Sequence, residues 1–322
     1  MDPPLSQSRA IDTFAPRPLT CAQPTIARMQ QVQEPLPELA ELLGGRWQLQ
    51  AMGASAFCDT WEARQGRELL FLKSAAEAGA AMLHAEADGL RALAATRTVR
   101  VPAVHAVLER PGGGVILALE WLHLVRPDAE FGFRLGEALA ALHAHRAPLP
   151  ARFGWHKDNY IGATPQRNTP TQPATTAGWI AFFADARLGA MRDRLRHAPG
   201  DLRSALAAVI EGLPALFADG RAPRPALIHG DLWQGNWGML ADCTPVIFDP
   251  AVSYSDPQAE LAMTELFGSP PRGLREAYEH ANGTWPDLKR TQLYQLYHLL
   301  NHAVLFSGSY VQQALRLARA LA

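Results

Sequence analysis

Ala226-Leu-Ile-His-Gly-Asp-Leu-Trp-Gln-Gly-Asn-Trp-Gly-Met-Leu240, then Ala241-Asp-Cys-Thr244, then Pro245-Val-Ile-Phe-Asp249, is the stretch that decides the fold. Trp237–Leu240 and Pro245–Phe248 read as two strands joined by the short polar turn 241–244. Antiparallel pairing sets the start of the first strand beside the end of the second. Asn236 and Asp249 therefore converge at one end of the hairpin, with Asp231 on the loop just before it. Two carboxylates and an amide form a set of hard oxygen donors. Such a set suits Mg²⁺ sharing its shell with phosphate oxygens and water better than it suits Zn²⁺. The bland alternative is a turn that spends Asp and Asn on backbone hydrogen bonds.

The order His229-x-Asp231-x-x-x-x-Asn236, with Asp249 closing a later strand, matches the catalytic and metal loops of protein kinases. Upstream residues give an independent check. Trp47–Met52, Thr60–Arg64 and Leu69–Lys73 read as strands, with turns at Gly53–Asp59 and Gln65-Gly66. A helix follows over 77–95, with Met82, Leu90 and Leu93 on one face. Glu86 shares that face, where an unpaired carboxylate is costly, so Lys73 at the strand end is its candidate cation, although alone Glu86 reads equally as an edge-of-core residue that reaches solvent. In kinases such a pair aims the lysine at the nucleotide's α- and β-phosphates. The turn beginning at Gly53 lies where a phosphate-covering loop belongs, although it holds a single glycine. Two further strands are expected near Ala103–Leu108 and Val115–Trp121, and Leu119-Glu120-Trp121-Leu122 falls where the backbone would meet an adenine. A helix marked by Phe131, Leu135, Leu139 and Leu142 follows, and the remainder reads as mostly helical apart from the hairpin region 226–249.

The whole chain fits this plan. Its 322 residues are 48% hydrophobic and 19% charged, a globular composition with room for two lobes. Thirty Lys+Arg against 31 Asp+Glu leave a net charge of −1, which argues against nonspecific nucleic-acid binding. Cys21, Cys58 and Cys243 are sparse and odd in number, so no disulfide framework is expected and a reducing, cytoplasmic setting is. Val115–Val125 is too short to span a membrane and contains Glu120 and His123, and the first residues do not read as a secretory signal. Prolines 3, 4, 16, 18, 24, 35 and 37 break any period near the start. Residues 1–36 are expected to be a disordered or loosely docked tail, 37–121 a nucleotide-binding lobe and 122–322 a catalytic and substrate-binding lobe, in an α+β, bilobal, protein kinase-like fold.

Three stretches carry a closer resemblance: Phe153-Gly-Trp-His-Lys-Asp-Asn-Tyr-Ile-Gly-Ala-Thr-Pro-Gln-Arg-Asn168, His229-Gly-Asp-Leu-Trp-Gln-Gly-Asn236, and Asp249-Pro-Ala with Leu261-Ala-Met-Thr-Glu-Leu-Phe-Gly268. Over about residues 38 to 315 the chain resembles the fructosamine kinase (ketosamine kinase) family, relatives of aminoglycoside and choline phosphotransferases. The resemblance implies ATP- and Mg²⁺-dependent phosphorylation of the third-carbon hydroxyl of ketosamines, whether small molecules or glycated proteins, after which the adduct decomposes and frees the amine. It implies Asp231 as base, Asn236 and Asp249 on the metal, and Lys73 with Glu86 on the phosphates. Asp158 and Asn159 belong to the signature, with a substrate-side or an architectural role. Phe153, Trp179, Phe182 and Phe183 read as core, His229 as a packing or backbone-bonding residue, and His143-Ala-His145 as a solvated helix end.

The chain departs from the family's usual pattern at three places. Ala54-Ser-Ala-Phe-Cys58 replaces a glycine-rich phosphate loop, which restricts close approach of backbone to phosphate. Cys58 there reads either as a packed thiol or as a redox-sensitive one. Pro257-Gln-Ala-Glu260 stands where Arg-Glu-x-Asp is usual, so support of the larger lobe is expected to differ. Thr169-Pro-Thr-Gln-Pro173 reads as a loose loop. Rival readings are a kinase for aminoglycoside- or choline-like substrates and a catalytically silent pseudokinase, the latter motivated by the altered phosphate loop.

Overall fold

The structure, a computed structural model, describes residues 41–55, 58–282 and 284–322. The expected tail over 1–36, and Ala56 and Phe57 of the phosphate loop, lie outside the described residues. Strands β1 (Gln48–Ala54), β2 (Asp59–Gln65), β3 (Glu68–Ala75), β4 (Val104–Glu109) and β5 (Val115–Glu120) form a five-stranded antiparallel sheet in the order β1-β2-β3-β5-β4. Gly66, at φ +61°, makes the tight β2–β3 turn. Helix α1 (Glu77–Thr96) enters between β3 and β4.

Side-chain alternation decides which face of the sheet does what. On β3, Phe71 packs toward α1 with Leu83, Leu90, Leu93 and Leu117, whereas Leu72 packs on the opposite face with Trp61, Ile116 and Ala118. Lys73, two residues beyond Phe71, therefore lies on the helix side of the sheet.

The rest of the chain is mainly helical. Helix α2 (Phe131–Ala144) lies against the helix Leu274–Asn282. Phe153, Trp179, Phe182 and Phe183 are buried with Tyr294 of the long helix Leu288–Phe306, as expected. The expected hairpin forms, with Trp237 opposite Ile247 and Met239 opposite Pro245, and Leu124–Val125 adds a third strand.

More short strands occur than the sequence suggests. Ala226–Ile228 pairs not within the hairpin but with Ser253–Ser255. Asn159–Ile161 pairs with Thr164–Gln166, and Arg152–Phe153 with Gln172–Pro173. Strands this short hold no readable period. The last pair also corrects the loose loop at 169–173. Arg152 binds Thr171 through Nε (2.7 Å to Oγ1), and Asp158 Oδ1 accepts from the Thr169 N–H and hydroxyl at 3.0 and 2.9 Å.

Two glycines in α2 permit its close approach: a Cβ on Gly132 or Gly136 would collide with the carbonyl oxygen of Arg272 or Leu274. Gly132→Ala should therefore destabilise the protein by about 1–3 kcal/mol through overpacking. Gly212, inside the helix Gly200–Leu216 with open space around it, should do the reverse on replacement by Ala, gaining about 0.5–1 kcal/mol. Thermal melts of the two variants should shift in opposite directions; a shared direction would contradict the packing described.

Candidate active site

Lys73 is 4% exposed and reaches two carboxylates. Its Nζ donates to Glu86 Oε1 and Oε2 at 2.8 and 2.9 Å and to Asp249 Oδ1 at 2.6 Å. The expected Lys73–Glu86 pair forms because β3 and α1 turn both residues into the same interior. Burial pushes the Glu86 carboxyl up, Lys73 pulls it back, and Asp249 adds to the rise.

Asp249 has φ +60°, a conformation uncommon for a side chain other than glycine, asparagine or aspartate. His229, fully buried, fixes the residues on either side of it. The Asp231 N–H donates to His229 Nδ1 (3.3 Å), so Nε2 carries the proton and donates to the Phe248 carbonyl at 2.8 Å. The His229 carbonyl accepts the Ala251 N–H at 2.8 Å. Burial lowers the imidazole's pKa and keeps it neutral, in accord with a backbone-bonding role.

The loop between these anchors turns at Gly230, φ +85°, where a Cβ would strike the Ala251 carbonyl. Asn236 donates from Nδ2 to the Asp231 carbonyl at 2.8 Å and, more loosely, to Asp231 Oδ2 at 3.4 Å. That orientation turns Asn236 Oδ1 the other way. The Asp231 carboxyl opens onto the cleft but is otherwise enclosed. Burial, then the neighbouring Asp249 charge, raise its pKa to about 7, with the Asn236 hydrogen bond opposing them.

The helix Pro257–Thr264 supports this loop from behind. Asp256 caps it, accepting the Gln258 N–H, and is itself held by Arg221 and the Tyr294 hydroxyl. Glu260 Oε2 accepts the Gly230 N–H at 2.8 Å, and its Oε1 meets His143 Nε2 at 3.0 Å. His143 Nδ1 in turn meets the Tyr278 hydroxyl at 3.0 Å. The support expected to differ at 257–260 is thus a buried Glu260–His143–Tyr278 chain. The reading of His143-Ala-His145 as a solvated end needs correction: His143 is 0% exposed, and only His145 faces solvent. Glu260 and Tyr278, its partners, come from distant sequence that no helix-end rule consults.

Lys73, Glu86, Asp231, Asn236 and Asp249 all line one cavity of about 530 Å³. Trp233, Phe267, His302, Phe306 and Tyr310 form its far end, and Tyr160 joins the wall. The sequence reading missed His302 and Tyr310; their helical stretch gave no signal beyond an amphipathic pattern. Gly53, Glu120 and Leu122 do not line the cavity. Gly53 lies in β1, beside a register shift, where a Cβ would make only ordinary contact with Thr60. Glu120 ends β5, its carboxylate held by Arg100 and the Ala103 N–H, and Leu122 is buried beyond it against Val246 and Phe248.

Asp158 and Asn159 stand outside the cavity wall as well, and the contacts of both are within the protein framework. Asp158 Oδ1 caps Asn168 and Thr169, while Asn159 spans Val252, Gln166 and Asn168 through its amide. Cys58 faces the cavity with a thiol that burial pushes upward in pKa, the condition of a quiet packed cysteine.

Residues 40–322 match the family model described as fructosamine kinase. A Synechocystis sp. relative named "Probable ketoamine kinase" is 44% identical over 240 residues, 72% of this chain and 76% of its own length. Among solved structures, a "putative fructosamine-3-kinase" from Thermobifida fusca matches at TM-score 0.75 and 32% identity, over 88% of this chain and 96% of that one. A thermostable variant of an aminoglycoside phosphotransferase, solved with ADP and hygromycin B, matches at TM-score 0.64 and 16% identity over 88% and 96% of the two chains, which shows the shared bilobal fold.

The raised Asp231 pKa has a sign that can be tested. Between the ordinary value of 3.8 and about 7, the folded state holds a proton that the unfolded chain has released, so stability falls as pH rises through that window. Asp231→Asn removes this dependence. Relative to the unmodified protein, the variant should gain on the order of 1–2 kcal/mol by pH 8 and almost nothing near pH 4, discounting the full linkage value for the cleft's water. Melting curves across pH measure the difference; a gap that widens toward acid would contradict the burial of this carboxylate.

Proposed function

The chain belongs to the fructosamine kinase family, and from that premise we propose that it phosphorylates the third-carbon hydroxyl of ketosamines with ATP and magnesium, the step that leads to deglycation. The observation that carries this reading is the gathering of Lys73, Asp231, Asn236 and Asp249 on one cavity wall. Free ketosamines and glycated proteins are both proposed acceptors. Lobe boundaries at 37–121 and 122–322 and a cytoplasmic setting belong to the same proposal, and the free Cys58 and Cys243 suit a reducing compartment.

The residues fit the group they would hold. Among the described residues, no cluster of three or more His, Cys, Asp or Glu side chains makes a metal site by itself. Asp249 and Asn236 Oδ1 supply only part of an oxygen shell, which is how magnesium is bound when phosphates and water complete it. Magnesium bound there would neutralise charge on the phosphoryl oxygens. Lys73, fixed by Glu86, lends its ammonium to the phosphates. The backbone of Glu120–Leu122 is the proposed adenine edge. Asp231 orients the acceptor hydroxyl and takes its proton, which passes to Oδ1 or Oδ2. A base with a pKa near the working pH is efficient in that role. The aromatic far end excludes water from the transfer.

ADP release with ribulosyl-lysine, fructosyl-lysine, kanamycin and choline as separate acceptors tests the reading. Release is expected with the two ketosamines. Turnover of kanamycin alone would move the protein to the rival substrate class, and no release with any acceptor would favour a silent pseudokinase. The roles separate in two variants. Asp231→Asn should lower turnover about 10²–10⁴-fold and leave Mg²⁺-dependent ATP binding nearly intact. Asp249→Asn should weaken that binding as well as turnover. Calorimetry beside turnover checks both, and the opposite pattern would reverse the assignments.

A further inference from the structure

The signature segment Phe153–Tyr160 has one side chain whose direction the reaction does not explain, Trp155. Its ring is buried 5.5 Å from the Tyr254 ring, yet its Nε1–H reaches across to the smaller lobe and donates to Asp88 Oδ2 at 2.9 Å. Asp88 stands on α1 two residues after Glu86. On a helix that spacing turns the two carboxylates to different faces, Glu86 toward Lys73 and Asp88 toward the larger lobe. His156 Nε2 and Lys157 Nζ also approach Asp88, each at 3.4 Å, but both are well exposed and such pairs contribute little. The next residue, Gly89, is seated directly on the segment after Asp249: a Cβ there would lie 3.2 Å from Pro250 Cγ and from Val252 Cγ1. Tyr254, under Trp155, belongs to the same segment and exchanges two backbone hydrogen bonds with Gly154.

We propose that Asp88 is a positioning residue: by accepting the Trp155 N–H it locks α1 onto the larger lobe and so holds Glu86 where it can deliver Lys73. The docking of α1 and the placement of Asp249 are thereby tied to one stretch of chain, 249–254. The effect on catalysis rests on the kinase reading above; the effect on α1 does not. Three variants separate the contribution of the bond from that of bulk. Asp88→Ala removes the acceptor. Trp155→Phe keeps the ring on Tyr254 and removes the donor. Asp88→Asn keeps an acceptor oxygen and loses the charge.

The experiment combines hydrogen–deuterium exchange of the full chain with steady-state kinetics. Asp88→Ala and Trp155→Phe should each raise exchange in the peptides covering 77–96. Each should also raise KM for ATP by about tenfold, the loss expected for a hydrogen bond to a charged group, with KM for the ketosamine unchanged. Asp88→Asn should recover most of both effects. Unchanged exchange in 77–96, or a rise in KM for the ketosamine in place of ATP, would overturn the proposal. Were the unmodified protein to show no kinase activity, the kinase reading would fall, and exchange alone would decide: a rise in both loss variants with rescue by Asn upholds the lock, and no rise refutes it.

Discussion

A single ammonium joins the parts of this molecule that matter for its chemistry. Lys73 sits in the interior between Glu86 and Asp249, residues contributed by a strand, the helix that follows it, and a segment 176 positions further along. A buried cation is tolerated only when its partners are in place. Removing one partner from such a group typically costs about 3–5 kcal/mol, because the remaining charge is left uncompensated. The arrangement therefore fixes how α1, the sheet and the end of the hairpin sit relative to each other. Burial nonetheless holds the Glu86 and Asp231 carboxyls above their ordinary range.

The backbone around Asp249 and Asp231 is also held in uncommon conformations. Asp249 has positive φ, and Gly230 turns tightly under the Ala251 carbonyl. His229 holds the first through Phe248 and Ala251, and Glu260 holds the second through the Gly230 N–H. Both supporting side chains are buried, and both bond backbone rather than any cavity-facing group. Behind them the Glu260–His143–Tyr278 chain extends the support into the helical core. The proposed reacting groups thus stand on a loop, but the loop is fixed from the inside by polar groups with satisfied partners.

Much of this was legible in the sequence for a physical reason. The hairpin over 237–247 announces itself by its two strands and polar turn, and once it forms Asn236 and Asp249 must meet. Glu86 on an apolar helix face has Lys73 as its candidate cation, and alternation along β3 sends that lysine to the helix side. The missed features depend on partners far away in the chain. His143 looks like a helix end until Glu260 and Tyr278 close over it. Asp158 and Asn159, readable from the sequence as substrate-side or architectural, cap Asn168 and Thr169 and bond Val252 and Gln166. The strands near 153, 160, 165 and 172 are two or three residues long and are defined only by what they pair with.

The proposed chemistry stands or falls on where a phosphoryl group is placed. Phosphorus–proton correlation NMR on ribulosyl-lysine incubated with the protein, ATP and Mg²⁺ reads that directly. The predicted result is a phosphomonoester resonance coupled to the proton on the sugar's third carbon, absent when Asp231 is replaced by Asn over the same time. A phosphate on another hydroxyl, or none at all while ATP is consumed, would contradict it.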